Sequence, residues 1–259
     1  MGFLADLKTL YHVVLKPIRG ETHAARMESF YAGQAEAYDD FRERLLKGRR
    51  ELWEAIEVPD GGVWVDLGGG TGANLEHLGP RIERLGKVYL VDLCPSLLAI
   101  ARRRIERHGW EHVEVVEADA TGFQPATGPA DVVTFSYSLT MIPDWFAAVE
   151  NAGAMLKQGG QIGVVDFYVA AKHPPEGFAR HSRFTRLFWP LWFGSDNVFP
   201  SPAHVPFLHR HFEPVRFTEH RAKVPYVPLL RVPYYTFIGR KPLGGEGRIA
   251  SAFRPLGNN

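Results

Sequence analysis

An acidic residue and four glycines lie close together in the segment Val65–Gly72, which reads VDLGGGTG. Val63, Trp64 and Val65 form an apolar run typical of a buried strand, and Asp66 lies near its end. Glycine allows positive φ angles and lets a ligand approach the main chain closely. The segment therefore predicts a strand, a glycine turn and a helix that together begin a nucleotide-cofactor site.

The glycine spacing leaves two kinds of cofactor open. Gly68, Gly70 and Ala73 fit the dinucleotide pattern G-x-G-x-x-A, which is a weak signal by itself. Asp66, however, lies where a dinucleotide fold usually has an apolar residue, and a carboxylate there suits a cation better than a pyrophosphate. The stretch resembles the first motif of the class I S-adenosylmethionine-dependent methyltransferases, whose cofactor carries an ammonium and a sulfonium but no phosphate.

Two further acidic residues end predicted strands downstream. Asp92 ends the run 87–92 and lies about 20 residues past the turn, where a carboxylate can accept both ribose hydroxyls of either cofactor. Asp119 ends the next apolar run, and the resemblance implies that it receives the adenine amino group. The resemblance implies S-adenosylmethionine as cofactor and S-adenosylhomocysteine as product, with cofactor contacts at Tyr38, Asp66, Gly68, Gly70, Asp92, Leu93, Asp119, Ala120 and Ser136.

Composition limits the classes of protein and partner. The 259 residues, of which 45% are hydrophobic, suit one large domain with additions or two small ones. A net charge of +1 gives no global nucleic-acid signature, and no Cys/His spacing suggests a metal site. The single cysteine excludes an internal disulfide framework. We therefore expect neither a nucleic-acid partner nor a metal, and no apolar run is long enough to cross a bilayer.

Strand and helix patterns alternate between about 62 and 170, which predicts an α/β fold. The resemblance implies a Rossmann-like, mostly parallel seven-stranded sheet with an antiparallel C-terminal strand, helices on both faces and an N-terminal helical extension. We expect N-terminal helices at 1–60 that cover the cofactor, a core at 61–242 with an acceptor-facing insertion at 171–212, and a flexible tail at 243–259. Within the first part, residues 3–19 form an amphipathic pattern, which suits either a packed helix or one at a membrane interface.

The C-terminal part of the chain is basic and aromatic. Residues 172–240 contain ten Lys/Arg and four Asp/Glu, although positive and negative charges are nearly equal in number over the whole chain. A Trp/Phe cluster at 188–193 suits either a core contact or the interface of a bilayer. We therefore expect a peripheral membrane contact, with the protein in the cytoplasm at the inner face of the membrane.

Several blocks carry a narrower resemblance, which spans roughly residues 30 to 240. The blocks "YAGQAEAYDDFRERLLKGR", "SYSLTMIPD", "GVVDFYV", "RHSRFTRLFWPLWF" and "VPYYTFIG" are similar to the methyltransferase part of betaine-lipid synthases, which is diacylglyceryl homoserine N-methyltransferase. That family adds three methyl groups to the amine of a lipid with an amino-acid headgroup. The resemblance implies a separate 3-amino-3-carboxypropyl transferase acting upstream, because this chain has no second cofactor motif.

The chemistry of such an acceptor suggests roles for six residues near the carboxyl ends of the strands. Arg180, His181 or Arg183 can pair with the headgroup carboxylate, and arginine does so in fork geometry. Asp166 can hold the ammonium and orient its nitrogen once a proton leaves. Tyr137 and Tyr168 can face the growing methylammonium. Water, Tyr137, Asp166 or His181 can take the proton that leaves the amine, and the residues alone do not decide between them.

Three other functions remain open from the residues alone. A class I methyltransferase with another amphiphilic acceptor, such as phosphatidylethanolamine or a quinone, would share the cofactor site and differ in the pocket. An NAD-dependent oxidoreductase would share the fold but would have to tolerate Asp66 beside its pyrophosphate. A cofactor-binding scaffold without activity would not need the polar residues assigned to the acceptor pocket.

Overall fold

The computed structural model describes residues 22, 25, 28, 45–194, 197–224 and 227–244. The elements in chain order are α1 Arg49–Ala55, β1 Val63–Leu67, a 3-10 helical segment Ala73–Arg84, β2 Lys87–Asp92, α2 Pro95–His108, β3 Val113–Glu117, β4 Ala130–Ser136, α3 Trp145–Met155, β5 Leu156–Phe167, α4 Arg183–Gly194, α5 His204–His211, β6 Glu213–Val224 and β7 Val227–Arg240. The predicted helix at 3–19, most of the N-terminal helical extension and most of the C-terminal tail lie outside the described residues.

The seven described strands form one sheet in the order β3-β2-β1-β4-β5-β7-β6. Five of them, β1 to β5, pair in parallel, and β7 runs antiparallel to both of its neighbours, β5 and β6. The order reverses beside β1, so that the carboxyl ends of β1 and β4 form a topological switch point, where open α/β sheets bind ligands. The predicted fold, a mostly parallel seven-stranded sheet with one antiparallel C-terminal strand, is confirmed.

Helices cover both faces of the sheet, because its central strands are apolar on both sides. One buried cluster joins Trp53 of α1 and Leu75 of the 3-10 segment to Trp64, and it also contains Trp189 of α4. The second cluster, on the other face, joins α3 and α5 to strand residues such as Val65. This two-sided burial fixes the strand ends that hold the candidate site.

The segment after the glycine turn differs from the regular helix that Leu75 and Leu78 predicted. Both leucines are buried as expected, but residues Ala73–Arg84 form a 3-10 segment with a kink at Gly79 (φ 54°, ψ −137°). Pro80 explains the kink, because a proline disfavours helical backbone at the residue before it. The turn therefore leads into a short, broken helix.

The C-terminal strands β6 and β7 form an antiparallel pair at one edge of the sheet. Strand β5 begins at Leu156, and its register against β4 shifts between Ala130 and Val132. Between β5 and β6, the predicted insertion at 171–212 contains α4 and α5.

Candidate cofactor and acceptor site

The glycine turn begins where β1 ends and passes directly beneath the loop that follows β4. Gly68 and Gly69 donate backbone hydrogen bonds to the carbonyl of Val91 at 2.8 and 3.0 Å. Gly68 has φ +74°, and a Cβ at this position would lie 2.4 Å from Cβ of Ser138. A side chain is therefore excluded here by both backbone conformation and space.

Asp66 lies beneath the turn and is not part of the cavity lining. It is fully buried, and its Oδ1 accepts a hydrogen bond from the hydroxyl of Thr134 at 2.8 Å. That hydroxyl oxygen in turn accepts a hydrogen bond from the indole N–H of Trp64 at 3.0 Å. A Cβ on Gly69 would lie 3.0 Å from Oδ2 of Asp66, so the carboxylate lies directly under the turn.

Asp92 connects the turn to the end of β2. Its Oδ2 accepts the backbone N–H of Gly70 at 2.9 Å, and its Oδ1 accepts the N–H of Cys94 at 2.9 Å. Each carboxylate oxygen can accept more than one hydrogen bond. The carboxylate is thus held in a fixed orientation at the edge of the cavity and can still accept bonds from two hydroxyls of a ligand.

A cavity of about 400 Å³ opens at these strand ends. Its lining residues are Gly68, Gly70, Val91, Asp92, Leu93, Leu97, Ala118, Asp119, Ala120, Thr121, Tyr137, Ser138, Met141, Ile142, Pro143, Asp144 and Ala147. Three of these carry carboxylates and none is Lys, Arg or His. Such a lining suits a ligand with an ammonium and a sulfonium, whereas a pyrophosphate would meet carboxylates without a compensating cation.

Six of the nine sequence-predicted cofactor residues line this cavity: Gly68, Gly70, Asp92, Leu93, Asp119 and Ala120. Asp119 is exposed at the rim, where its Oδ1 accepts both the N–H and the hydroxyl of Thr121 at 2.8 Å. Asp66 lies beneath the turn as described above, and Tyr38 lies outside the described residues.

Ser136 is not brought to the cavity, and Ser138 takes its place. The hydroxyl oxygen of Ser136 accepts the indole N–H of Trp53 at 3.0 Å, inside the core. Ser138 lines the cavity and donates its hydroxyl to the carbonyl of Leu67 at 2.9 Å. Ser138 reaches the cavity because the chain turns at Tyr137, which has a φ of 57° at the end of β4.

Tyr137 lines the cavity, but its hydroxyl is already bound. The hydroxyl donates to the carbonyl of Lys47 at 2.6 Å, and the ring packs edge-on against Phe167 with centroids 4.6 Å apart. Burial raises the pKa of Tyr137 well above its ordinary value, and the negative charge of Asp166 adds to this effect. The ring is therefore held rigidly at the cavity wall, with its phenol protonated.

Asp166 is fully buried beside the cavity loop rather than within the cavity. It accepts the backbone N–H of Thr140 at 3.1 Å, the hydroxyl of Thr140 at 2.7 Å and the N–H of Phe167 at 2.7 Å. Burial raises the pKa of this carboxyl to about 7, although the hydrogen bonds from Thr140 and Phe167 oppose the shift. Asp166 thus fastens the loop that lines the cavity to the end of β5.

His181 and Tyr168 lie together but outside the cavity lining. The two rings have centroids 5.1 Å apart, and Nδ1 of His181 accepts the backbone N–H of Ala170 at 2.9 Å. Burial lowers the pKa of His181 to about 4, and the positive charges of Arg221 and Arg186 add to the shift. The neutral ring therefore carries its proton on Nε2.

Tyr168 is buried and Arg180 and Arg183 are exposed. The Tyr168 hydroxyl has no hydrogen-bond partner within the described part of the chain. Arg180 precedes α4 and Arg183 is its first residue, and both side chains lie in solvent. Of the six residues predicted for the acceptor, the structure brings only Tyr137 to the cofactor cavity.

Comparison with known families gives a match over the part of the chain that forms the cavity. Residues 65–160 match a family described as "Methyltransferase domain". The matched part runs from the glycine turn to the beginning of β5, and so contains most of the cavity. Residues 65–160 are thus similar to a methyltransferase domain, and the cofactor that goes with this fold and cavity is S-adenosylmethionine.

Similar curated proteins include ubiquinone/menaquinone biosynthesis C-methyltransferases named UbiE. Those from Hahella chejuensis and Hydrogenovibrio crunogenus are 26% and 28% identical over 153 residues, which cover 57% of this chain. The chain spans 60% of the length of each of these two relatives.

Solved structures share the fold at low identity. An O-methyltransferase family protein from Burkholderia thailandensis matches with a TM-score of 0.59 and 20% identity, covering 85% of this chain and 64% of that one. The N-methyltransferase NodS from Bradyrhizobium japonicum, solved with S-adenosyl-L-homocysteine, matches with a TM-score of 0.54 and 14% identity, covering 79% of this chain and 98% of that one.

The described residues contain neither a membrane-spanning helix nor a metal-binding cluster. None of their helices combines the length and the apolar composition needed to cross a bilayer. None of their His, Cys, Asp and Glu side chains group in threes or more in a way that would hold a metal ion.

Proposed function

We propose that this protein methylates the amine of diacylglyceryl homoserine three times, giving diacylglyceryl-N,N,N-trimethylhomoserine. The sequence blocks that resemble the betaine-lipid N-methyltransferases support this acceptor, since they include the loop 136–144 and the insertion around Arg180. NodS, one of the similar structures, is an N-methyltransferase, whereas the UbiE relatives are C-methyltransferases. The acceptor must therefore be argued from the site.

The observation that carries the proposal is an aromatic connection from the cofactor cavity to α4. Tyr137 at the cavity wall packs against Phe167, which stacks on Phe193 of α4 with centroids 4.8 Å apart. The exposed Arg180 and Arg183 lie at the beginning of the same helix. Tyr137, at the cavity end of this connection, suits a methylammonium, because such a cation binds aromatic faces well.

The cofactor supplies an electrophilic methyl group at its sulfonium. In each transfer the nitrogen lone pair forms the new N–C bond while the C–S bond breaks, and S-adenosylhomocysteine leaves. Such an in-line displacement depends mainly on positioning, which the rigid turn and the fixed ring of Tyr137 provide. The third product has no lone pair on nitrogen, and the sequence of transfers ends there.

Water is the proposed acceptor of the proton that leaves the amine before each transfer. The Tyr137 phenol donates to Lys47, and Nδ1 of His181 is already occupied by the Ala170 N–H. Asp166 is enclosed by its bonds to Thr140 and Phe167. We therefore assign Asp166 and His181 positioning roles: Asp166 holds the cavity loop, and His181 holds the chain just after β5.

Arg180 and Arg183 are exposed and carry no acidic partner among the described residues, and they would reach the substrate carboxylate beside Tyr137 only when the insertion moves towards the cavity. The buried Tyr168 adjoins His181 on the same side of the domain. Its free hydroxyl offers a further hydrogen bond to the headgroup if the insertion adjusts when substrate binds. Arginine suits this task because its guanidinium forms two parallel bonds with a carboxylate.

Lipid analysis after expression in a host without betaine lipids tests the proposal. Co-expression with a 3-amino-3-carboxypropyl transferase should yield the trimethylated lipid, and omission of either enzyme should abolish it. The Asp92→Ala variant serves as the inactive control. Accumulation of unmethylated diacylglyceryl homoserine beside the active protein would overturn this acceptor assignment.

The UbiE relatives support a second candidate, a C-methyltransferase with a quinone-type acceptor. Mass spectra of the same extracts would then show methylated quinones or, for a phosphatidylethanolamine acceptor, methylated phospholipids. The oxidoreductase alternative has lost its support, because the acidic cavity offers no cation for a pyrophosphate. Each acceptor thus leaves its own product in one experiment.

A further inference from the structure

Helix α4 carries an apolar face that points into solvent. Phe184, Leu187 and Leu191 are 61%, 74% and 83% exposed, and their spacing of three and four residues places them on one side of the helix. The opposite side is apolar too and is used internally, since Trp189 and Phe193 are buried in the core. A surface helix of a globular protein normally turns charged residues outwards, so this exposed side calls for a function.

These exposures change the expectation for the Trp/Phe cluster at 188–193. Trp189 and Phe193 stack with centroids 5.4 Å apart, and Phe193 also stacks on Phe167 of β5. They anchor α4 to the sheet and are unable to enter a bilayer. The outward face is instead formed by Phe184, Leu187 and Leu191.

The charged residues of helix α4 have one sign. Helix α4 contains Arg183 and Arg186 and no acidic residue, and Arg180 precedes it with an exposed side chain. Within the described residues, neither Arg180 nor Arg183 forms a salt bridge with a carboxylate. An apolar strip beside exposed arginines matches the interface of a bilayer that contains anionic lipids.

We propose that the face formed by Phe184, Leu187 and Leu191 docks on an anionic lipid bilayer, with Arg180 and Arg183 at the headgroups. A second copy of this chain could also cover the face through a two-fold contact. That contact would bring the same arginines of both copies together, and their repulsion would oppose dimer formation. The proposal deepens the proposed function, because a diacyl acceptor resides in such a bilayer, but binding to vesicles is measurable without any acceptor.

Docking at this face would orient the active site. Phe193 connects α4 to Tyr137 at the cavity wall through Phe167. Beyond the helix, the backbone N–H of Phe199 donates to the carbonyl of Thr140 at 2.7 Å, and Phe199 is itself 58% exposed. The segment that follows the docking helix is thus bonded to the loop that lines the cofactor cavity.

Co-sedimentation with vesicles tests the docking. The probe is a vesicle of phosphatidylglycerol and phosphatidylcholine in equal parts, compared with phosphatidylcholine alone. The test variant combines Leu187→Asp with Leu191→Asp, and the matched control is Leu243→Asp, because Leu243 and Leu191 are equally exposed at 83%. Leu243 lies next to Gly159 at the beginning of β5, far along the sheet from the cavity.

The full chain should bind the anionic vesicles. In the double variant the vesicle partition coefficient should fall about tenfold for each leucine that no longer enters the bilayer. Replacing phosphatidylglycerol by phosphatidylcholine should weaken binding about fivefold for each arginine at the surface. The Leu243→Asp control should bind like the wild type. All three proteins should melt at similar temperatures, since the substituted side chains lie in solvent.

Wild-type binding by the double variant, or an equal loss in the Leu243→Asp control, would overturn the proposal. So would a dimer in analytical ultracentrifugation that the double variant converts to monomer, because the face would then belong to a second copy. If vesicle binding holds and no trimethylated lipid forms in cells, the acceptor assignment fails while the docking face stands.

Discussion

Thr140 binds the carboxylate of Asp166 twice, through its backbone N–H at 3.1 Å and its hydroxyl at 2.7 Å. Thr140 belongs to the loop after β4, and Asp166 belongs to β5, so the pair fastens a cavity wall to the sheet. The same residue accepts the N–H of Phe199 from the segment after α4. Thr140 therefore joins the loop of the cofactor cavity to the sheet and to the segment that follows α4.

Replacing Thr140 by valine should destabilise the protein by about 1–3 kcal/mol, because a buried carboxylate loses a hydroxyl donor. The cavity loop should loosen, which lowers kcat more than the affinity for S-adenosylhomocysteine. Urea denaturation and calorimetric titration measure the two effects separately. Thr140→Ser keeps the hydroxyl and should retain most of the stability; equal damage in both variants would contradict the role given to this bond.

The raised pKa of Asp166 predicts a pH dependence of stability that one substitution should remove. The pKa of Asp166 is about 7 in the folded protein and near 3.8 when the carboxyl is exposed. Between pH 3.8 and pH 7 the native state therefore holds a proton that the unfolded chain has released. Stability from this group is full below pH 4, falls by about 1.4 kcal/mol per pH unit up to pH 7 and is then constant. Asp166→Asn does not titrate.

His181 titrates in the opposite sense and must be separated from this effect. Its pKa is lowered to about 4, so its contribution is full above its ordinary pKa and is lost as the pH falls towards 4. The useful quantity is therefore the difference in unfolding free energy between wild type and Asp166→Asn, measured from pH 4 to 8. A difference that is flat with pH would show that Asp166 titrates normally.

Much of the fold and of the cofactor site follows from short patterns in the sequence. Apolar runs that end in Asp66, Asp92 and Asp119 mark strands, and parallel strands bring their carboxyl ends to one edge of the sheet. The glycine turn requires small residues because Ser138 lies above it. These features depend on the order of residues within short segments and on the direction of the strands, and both can be inferred from the sequence.

Other features depend on contacts that no short pattern encodes. Ser136 and Ser138 are equivalent in the sequence, and only the left-handed backbone of Tyr137 decides which one reaches the cavity. The apolar residues of α4 are similarly indistinguishable until Phe167 and the sheet select Trp189 and Phe193 for the core. The roles of Asp166 and His181 likewise depend on partners distant in the chain or fixed by packing.

A methyl group added at Gly68 should remove cofactor binding. In Gly68→Ala the new Cβ would lie 2.4 Å from Cβ of Ser138, and the turn would have to move away from the ligand. Gly109→Ala is the matched control, because Gly109 has a similar φ of +67° and open space around its Cβ position. Both variants should lose about 1 kcal/mol of stability from the left-handed backbone, and only the first should lose affinity for S-adenosylhomocysteine.

Removing the Asp92 carboxylate should weaken cofactor binding far more than it weakens the fold. Two hydrogen bonds to a charged acceptor are worth about 1.5–3 kcal/mol each, so Asp92→Ala should reduce the affinity for S-adenosylhomocysteine at least about 100-fold. Asp131→Ala is the control: Asp131 also accepts a backbone N–H, that of Val63 at 2.8 Å, but it pairs with Lys157 outside the cavity lining. That variant should lose stability and keep its affinity in calorimetric titration. Unchanged affinity in Asp92→Ala would mean that the ligand's hydroxyls are held elsewhere, and would move the cofactor away from the end of β2.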